Sequence, residues 1–418
     1  MVNSATWNWE PGERQVADLG AWEAQYKWVE EVQASLDGER FAAVVNADDE
    51  FTACVNGELW ENLYERVWYL RFSPDSRLTG LASDMGEWAV VVDDEPWPDK
   101  YGMVWDTKFS ADGSGIAVAV QQDTEYGMAL NGQLWDTLYP DANHFAISPC
   151  GTRTASVVQR EAMGQAEVFR YQGGMYSLAV DGKMWDNAFV NAWEVAFSAD
   201  GKHVAAEMRT DLYDHSIVVD GQPWAGRFQC VWGPRFNPAT GAVVAPVRQG
   251  GKWSLFQDDQ PLWRNKYFEC WHHCFSADGK VVAAIVSPKF SRWTAAVDDQ
   301  AWNTTFGDMA TDLCLSPDGS RAAFLGKENE QWKVCVDDRN WAGEYDMAWA
   351  PVFSADSRHV AATVRKDGKF AVLVDGHPVA QDLDMAWDAA FGPDSDRVLL
   401  RTVKDGKCRR TVLKLDNI

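Results

Sequence analysis

Short apolar runs recur along the whole chain. Some carry an acidic or Asp-Gly end, as in WAVVVDD (88–94) and SIVVDG (216–221); others are continuous and rich in small and β-branched residues, as in HVAATV (359–364). Both suit short strands that are half or fully covered. Clusters of Pro, Asp, Gly and Ser separate them about every eight to twelve residues, too often for helices. One stretch looks helical at first. In WAGRFQCVWGPRF (224–236), Trp224, Phe228, Trp232 and Phe236 fall four apart. Four is also a multiple of the strand period of two. Gly226, Gly233 and Pro234 sit badly inside a helix. The spacing therefore predicts strand faces.

That stretch is one copy of a repeat. The same phrase starts at Trp22, Trp60, Trp97, Trp135, Trp185, Trp224, Trp263, Trp302 and Trp341, and a tenth copy begins at Val379. The step is about 38 residues, with one step about twelve residues longer. Four positions on stand Tyr26, Tyr64, Tyr101, Tyr139, Phe189, Phe228, Tyr267, Phe306, Tyr345 and Leu383. Eight positions on, most copies carry a second indole: Trp68, Trp105, Trp193, Trp232, Trp271, Trp349 and Trp387. A turn phrase follows, such as FSPDS at 72, FSADG at 109 or LSPDG at 315, degenerate as ASLDG at 34.

Each unit reads as four short strands. One carries the leading Trp and the aromatic four positions on, one ends at FSPDG, one is of the AAxV type, and one ends at VDG. Four strands in about 38 residues, stacked on like neighbours, make a β-propeller blade. The expected fold is all-β: a single β-propeller of ten four-stranded blades over residues 22–418, after an N-terminal extension of residues 1–21. No Pro/Gly/Ser-rich linker separates any two copies, which argues against two five-bladed rings. The C-terminal TVLKLDNI matches the strand AVLVDG (371–376), so the last blade lacks an outer strand. The first copy begins with one, around 22–26, and the two ends are expected to complete one blade and remove two sheet edges.

The tryptophans fit this geometry. Of 23, most fall at the leading position, the position eight on, and a third at Trp88, Trp253, Trp293 and Trp332. Blades bury both faces, and each buried indole removes roughly 150–250 Å² from water, worth about 4–6 kcal/mol before entropy. Core wedges are the expected role.

Charge narrows the partners. The net charge is -24, from 62 acidic and 38 basic residues. Such a surface repels phosphate backbones and anionic headgroups, so nucleic acid is not an expected partner. The first twenty residues show no cationic start, apolar run or cleavage site, and no stretch is apolar enough to span a bilayer, so a cytoplasmic address is expected. The 8 cysteines are scattered and read as free packed thiols.

FSPDG followed by an apolar strand, a second strand ending in DG, and a downstream Trp resembles the WD40-like, TolB-type propeller repeat over residues 22–418. The repeat style, tryptophan content and length further resemble the Trp-rich D subunits of the Tmc complexes of sulfate-reducing bacteria. Those complexes are transmembrane redox assemblies whose cytochrome and iron–sulfur subunits hold the cofactors. The resemblance implies a subunit without cofactors of its own.

Candidate chemistry is sparse. In CWHHC (270–274), Cys270, His272 and Cys274 would share one face of a strand and Trp271 and His273 the other. Ligands at alternate positions on one strand are about 6.5–7 Å apart, stretched for one ion, and a fourth ligand is missing, so no metal site is expected. The remaining cysteines are too dispersed for an iron–sulfur cluster. Acid pairs such as Asp93–Asp94, Asp258–Asp259, Asp298–Asp299 and Asp337–Asp338 recur where other copies have AsnGly or AspGly, and read as turn formers. No GxSxG, HExxH, Walker or dinucleotide motif is present, and no catalytic residue is assigned. The long fourth copy holds its excess at 159–175, a hairpin extension carrying Arg160 and Arg170. These two, with Trp7 and Trp9 of the extension, are the candidate partner contacts.

The expected function is a non-catalytic protein-binding scaffold, a cytoplasmic component of a membrane-bound electron-transfer complex, binding other protein subunits and holding no cofactor. Two other classes stay open. An enzyme of the propeller class would show convergent histidines and carboxylates with shifted pKa in the central channel. A glycan or small-molecule binder would show exposed tryptophans.

Overall fold

A computed structural model describes residues 4–164 and 167–417. Residues 1–3 of the N-terminal extension and 165–166 of the insertion lie outside the described residues. The fold is the ten-bladed β-propeller, built of ten antiparallel sheets. Blades 1 to 5 span 29–59, 66–96, 103–134, 142–184 and 191–223; blades 6 to 9 span 230–261, 269–301, 309–340 and 347–383. Blade 10 joins residues 385–414 to the strand Gly12–Asp18. The blades fall into two compact units, one of blades 2–6 and one of blades 1 and 7–10. No helix among the described residues is long and apolar enough to cross a membrane.

The second strand of each blade is the most buried, as in Phe41–Ala47 and Ile116–Gln122, because Ala and Val alternate there between two neighbouring sheets. Turn chemistry frames it. In the FSPDG phrase the Ser hydroxyl donates to the Asp carboxylate, at 2.7 Å for Ser110–Asp112 and 2.8 Å for Ser316–Asp318. The first acid of each acid pair or Asp-Gly turn accepts the N–H that opens the second strand, at 3.0 Å for Asp93–Leu78 and 2.8 Å for Asp258–Val243. The recurring acids are thus turn formers.

The outer strand differs from the sequence expectation. It is a two-residue ladder such as Gln133–Leu134, and the leading Trp follows it. The aromatic four positions on then bridges back to the same blade's third strand, as in Tyr126↔Tyr139. Repeat and blade are therefore offset: these two aromatics belong to the outer edge of the preceding blade and pack on the next. Trp135 joins an apolar cluster with Val158 and Ala179 of blade 4, lies over Gly182 at that blade's Asp-Gly turn, and donates its indole N–H to Thr154 at 2.8 Å.

The tryptophans split by position. Leading indoles such as Trp22, Trp60, Trp135, Trp224 and Trp263 are buried wedges. Those eight positions on are only partly covered, with Trp68 at 39% and Trp232 at 42% exposure. They pack on the third-position ring of their own sheet: Trp232 stacks on Trp253 at 5.5 Å, while Trp68 meets Trp88 at 5.4 Å and Trp271 meets Trp293 at 4.3 Å with tilted planes. The core-wedge role thus holds for five leading indoles, whereas Trp97, Trp185, Trp302 and Trp341 are half-buried, as Trp105, Trp193 and Trp271 are.

The two ends close blade 10 as expected, but with a different segment. Gly12–Asp18 pairs with Lys407–Lys414, while Leu19–Gln25, where the closing strand was placed, is a short helix capped by Asp18, whose carboxylate accepts from Ala21 N–H at 3.0 Å. Arginines stitch the closure. Arg397 donates to the Trp9 carbonyl at 2.7 Å, Arg401 to that of Ser35 at 3.2 Å, and Arg410 to that of Asp37 at 2.8 Å.

Candidate functional site at the inner-strand bulges

The first strand of seven blades carries a β-bulge at the residue after the half-exposed indole position. These residues are Glu31, Tyr69, Asp106, His144, Glu194, His272 and Asp312, with φ between 49° and 58°. Registers confirm it: Trp193 pairs with Glu207 and Ala196 with Ala205, so the ladder slips between them. A left-handed conformation at a non-Gly residue costs on the order of 1 kcal/mol, and glycine would remove the cost. Here the bulge turns polar, mostly ionisable side chains out of the ladder. Blades 6, 9 and 10 have a split first strand instead, with Gly233–Pro234, Ala350–Pro351 and Asp388–Ala389 at the break.

Chemistry concentrates at blades 4 to 6. Glu207 lies on the second strand Val204–Arg209 opposite Trp193, and is 6% exposed. Equivalent positions in other blades hold Leu81, Ala119, Val157 or Ile285. Its carboxyl makes no hydrogen bond among the described residues. Burial pushes its pKa up to about 8, and the nearby Glu194 charge adds to the rise. Glu194 itself is exposed and meets no cation among the described residues. Its Cβ side is crowded by blade 6, since a Cβ on Gly233 would fall 2.6 Å from Glu194 Cβ. On the other side His144 has its pKa lowered by burial, with Glu194 pulling the other way. The Trp193 indole stacks on His215 at 6.2 Å beside the same pair. The site thus offers one carboxylate, one carboxyl that stays protonated near neutrality, an imidazole and an indole face.

In the other unit the corresponding charged position is Arg401, 4% exposed, whose guanidinium donates to main-chain carbonyls and lies near Asp388. Burial raises the Asp388 pKa, Arg401 lowers it and Asp312 raises it. Arg401 here ties the last blade to the first through the Asp388 and Ser35 carbonyls.

The sequence-selected residues lie elsewhere. Trp9 is 9% exposed, packs on Leu399 and Val412, and stacks with the half-buried Trp7 at 5.9 Å. Arg160 donates to the Asp186 and Asn187 carbonyls at 3.0 and 2.7 Å. Arg170, on the short helix Val168–Gln172, pairs with Glu161 and with Glu167 at 3.2 Å. Each of Trp9, Arg160 and Arg170 is engaged within the chain, whereas Phe169 beside Arg170 is 89% exposed. In CWHHC the bulge breaks the expected alternation: the register slips between Trp271 and Cys274, His272 turns outward and His273 is buried at 2%. No group of three His, Cys, Asp or Glu among the described residues is placed to hold a metal ion. Glu194 and Glu207 were not singled out from sequence. A signal existed, since aligning the second strands shows Glu207 and Arg401 as charges in an otherwise apolar or uncharged column.

No protein-family model matches this chain, and no curated protein does. Solved structures are similar in fold. A eukaryotic initiation factor shows 12% identity over 79% of this chain and 90% of that chain, with a TM-score of 0.48. The Dos1 propeller shows 11% identity over 97% and 94%, with a TM-score of 0.37. TolB from Acinetobacter baumannii shows 14% identity over 58% and 61%, with a TM-score of 0.30. Similarity at this level reaches no residue of a site. The resemblance to Tmc D subunits gains no support from any of these comparisons.

Proposed function

We propose that this protein is a protein-binding scaffold that receives a basic segment of its partner at the inner strands of blades 4–6. The observation that carries this reading is Glu207, a carboxyl on a residue 6% exposed within an apolar column, near Glu194, whose charge helps burial to raise its pKa. Two such groups resist ionising together, and an incoming Lys or Arg would let both do so. The Trp193 face suits a guanidinium. A net charge of -24 speeds encounter with a cationic partner. The finer part of the proposal is that the partners are subunits of a membrane-bound electron-transfer complex on its cytoplasmic side, keep the cofactors, and dock on rim loops as well. Its support is the repeat style and the tryptophan content.

The test is purification from native membranes with wild-type protein and with the Glu194→Gln, Glu207→Gln double variant. Wild type should bring down partners, coloured by haem or iron–sulfur groups if the finer part is right, and the double variant should lose them. Equal recovery by both proteins sinks the basic-segment reading.

One observation favours a second reading. A carboxyl of raised pKa with a second glutamate and an imidazole nearby is the arrangement expected of an acid–base enzyme. Hydrolysis of a glycan or peptide library, abolished by Glu207→Gln alone, would select it.

A further inference from the structure

Between blades 9 and 10, within one unit, lies a cleft of about 390 Å³. One wall is the outer strand of blade 9, His377–Leu383. The other is one face of the blade 10 sheet, since the residues that reach the cleft alternate along its strands: Leu400, Thr402 and Lys404 on the second, Arg409, Thr411 and Leu413 on the third. Register tells what other blades hold there. Counted back from the hairpin pair Lys404↔Lys407, Thr402 takes the place of Val45, Ala82, Val120, Val247, Gly326 or Val364. Thr411 likewise takes that of Cys54, Val91, Ala129, Phe256, Cys335 or Leu373. Arg409 stands where these blades carry small residues such as Ala89, Gly127, Ser254 and Ala371, with Lys333 the other cation. A face that is apolar or small elsewhere is thus polar and charged in blade 10. Polar groups turned into a seam cost stability unless water or a ligand meets them.

The charges say which ligand. Arg409 pairs with Glu13, whose carboxylate also lies 3.5 Å from the Thr411 hydroxyl. The Arg409 Nε stays buried and meets no acceptor among the described residues. Lys404 is the second cation. Its Nζ lies 3.5 Å from the Gln381 carbonyl and joins no ion pair among the described residues. Two cations against one carboxylate leave this end of the cleft one positive charge in excess, in a chain whose net charge is -24. That excess matches a monoanion. The other end is apolar, since Leu400, Leu413, Val379 and Leu383 belong to the core cluster of the seam. Free donors at one end and aliphatic side chains at the other suit a carboxylate on a short hydrocarbon body.

We propose that this cleft binds a small aliphatic carboxylate, with its oxygens on Arg409 Nε and Lys404 and its hydrocarbon end against Leu400 and Leu413. The inference stands apart from the scaffold reading, whose site is built by other blades.

The probe is isocaproate. Its controls are isocaproamide, which keeps the body without the charge, and acetate, which keeps the charge without the body. Each is titrated into the full chain by calorimetry and by saturation-transfer NMR. Wild type is expected to bind isocaproate saturably, at about millimolar affinity or tighter, as suits so small a ligand. Each control should bind about ten-fold more weakly or worse. Lys404→Gln should weaken isocaproate by about ten-fold and leave the amide unchanged. Thr411→Phe copies Phe256 at the same register position, fills the cleft and should abolish binding. No binding to wild type, a control that binds as tightly as isocaproate, or an affinity unchanged in Lys404→Gln overturns the inference, and the last of these decides even if Thr411→Phe folds poorly. Binding retained by a folded Thr411→Phe overturns it as well. None of these outcomes bears on partner recovery by the Glu194→Gln, Glu207→Gln variant, so the two readings fail separately.

Discussion

Glu207 carries the largest single electrostatic conflict at the candidate site. Its folded pKa is raised to about 8 from 4.5, so the folded chain holds a proton that the unfolded chain releases earlier. The associated stability is fully present below about pH 4.5 and is lost as pH rises to about 8. Glu207→Gln is neutral throughout, so it should raise denaturant-measured stability at pH 8 by on the order of 3 kcal/mol and change it little at pH 4. Glu194 offers a second test at this scale. Gly233→Ala sets a Cβ 2.6 Å from Glu194 Cβ and should cost about 1–3 kcal/mol. Glu194→Gly should relieve both that clash and the left-handed backbone, so the double variant should be more stable than the sum of the singles predicts. Neither residue stood out in the sequence, because they sit on adjacent strands of one sheet and only the register slip after Trp193 sets Glu194 near Glu207. The bulge mattered too: it turned His272 and Glu194 outward, where simple alternation places them by the period of two.

At the scale of elements, closure of blade 10 is the feature most open to test. Gly12–Asp18 covers the edge of Lys407–Lys414, Trp9 packs beneath it, and Arg397 and Arg410 hold the segment's neighbours through main-chain carbonyls. Deleting residues 4–18 should lower the melting temperature sharply and produce concentration-dependent association, read by light scattering, because an unpaired edge is exposed. A peptide of residues 4–18 added in trans should reverse both effects by strand addition. A truncated chain that melts like the full one would show that the closing strand contributes little. Closure by the two ends was legible in sequence from the unmatched last strand. The segment responsible was not: the leading Trp looked like part of a strand, whereas it follows a two-residue ladder, and Asp18 caps a helix where the strand was expected.

For the whole molecule, two sets of carboxyls pull stability in opposite directions with pH. The turn aspartates Asp112, Asp200 and Asp278 have pKa values lowered to about 2, in each case mainly by side-chain hydrogen bonds. Their contribution is present above about pH 3.8 and is lost as pH falls toward 2. Glu207 works the other way between about 4.5 and 8, and a net charge of -24 adds self-repulsion at neutral pH. Thermal stability should therefore peak near pH 4–5, decline toward 8, and recover in part at pH 8 when salt is raised from low ionic strength. A maximum at pH 7–8, or no response to salt, would contradict this balance.

Local physics made the architecture readable from the chain alone. Alternation, β-branched runs and Asp-Gly or Ser-Pro-Asp turns are short-range, and ten copies of one phrase average out the exceptions, so ten four-stranded blades and their closure followed. The three-dimensional fold alone decided which indoles are buried and which are half-exposed, because that depends on the one-strand offset between repeat and blade and on what the next blade sets against each ring. It also decided that a glutamate within an apolar strand lies near a second glutamate at a bulge of the adjacent strand. Those outcomes depend on register slips within a sheet and on packing between neighbouring sheets, where partners are set by register and crowding rather than by neighbours in sequence.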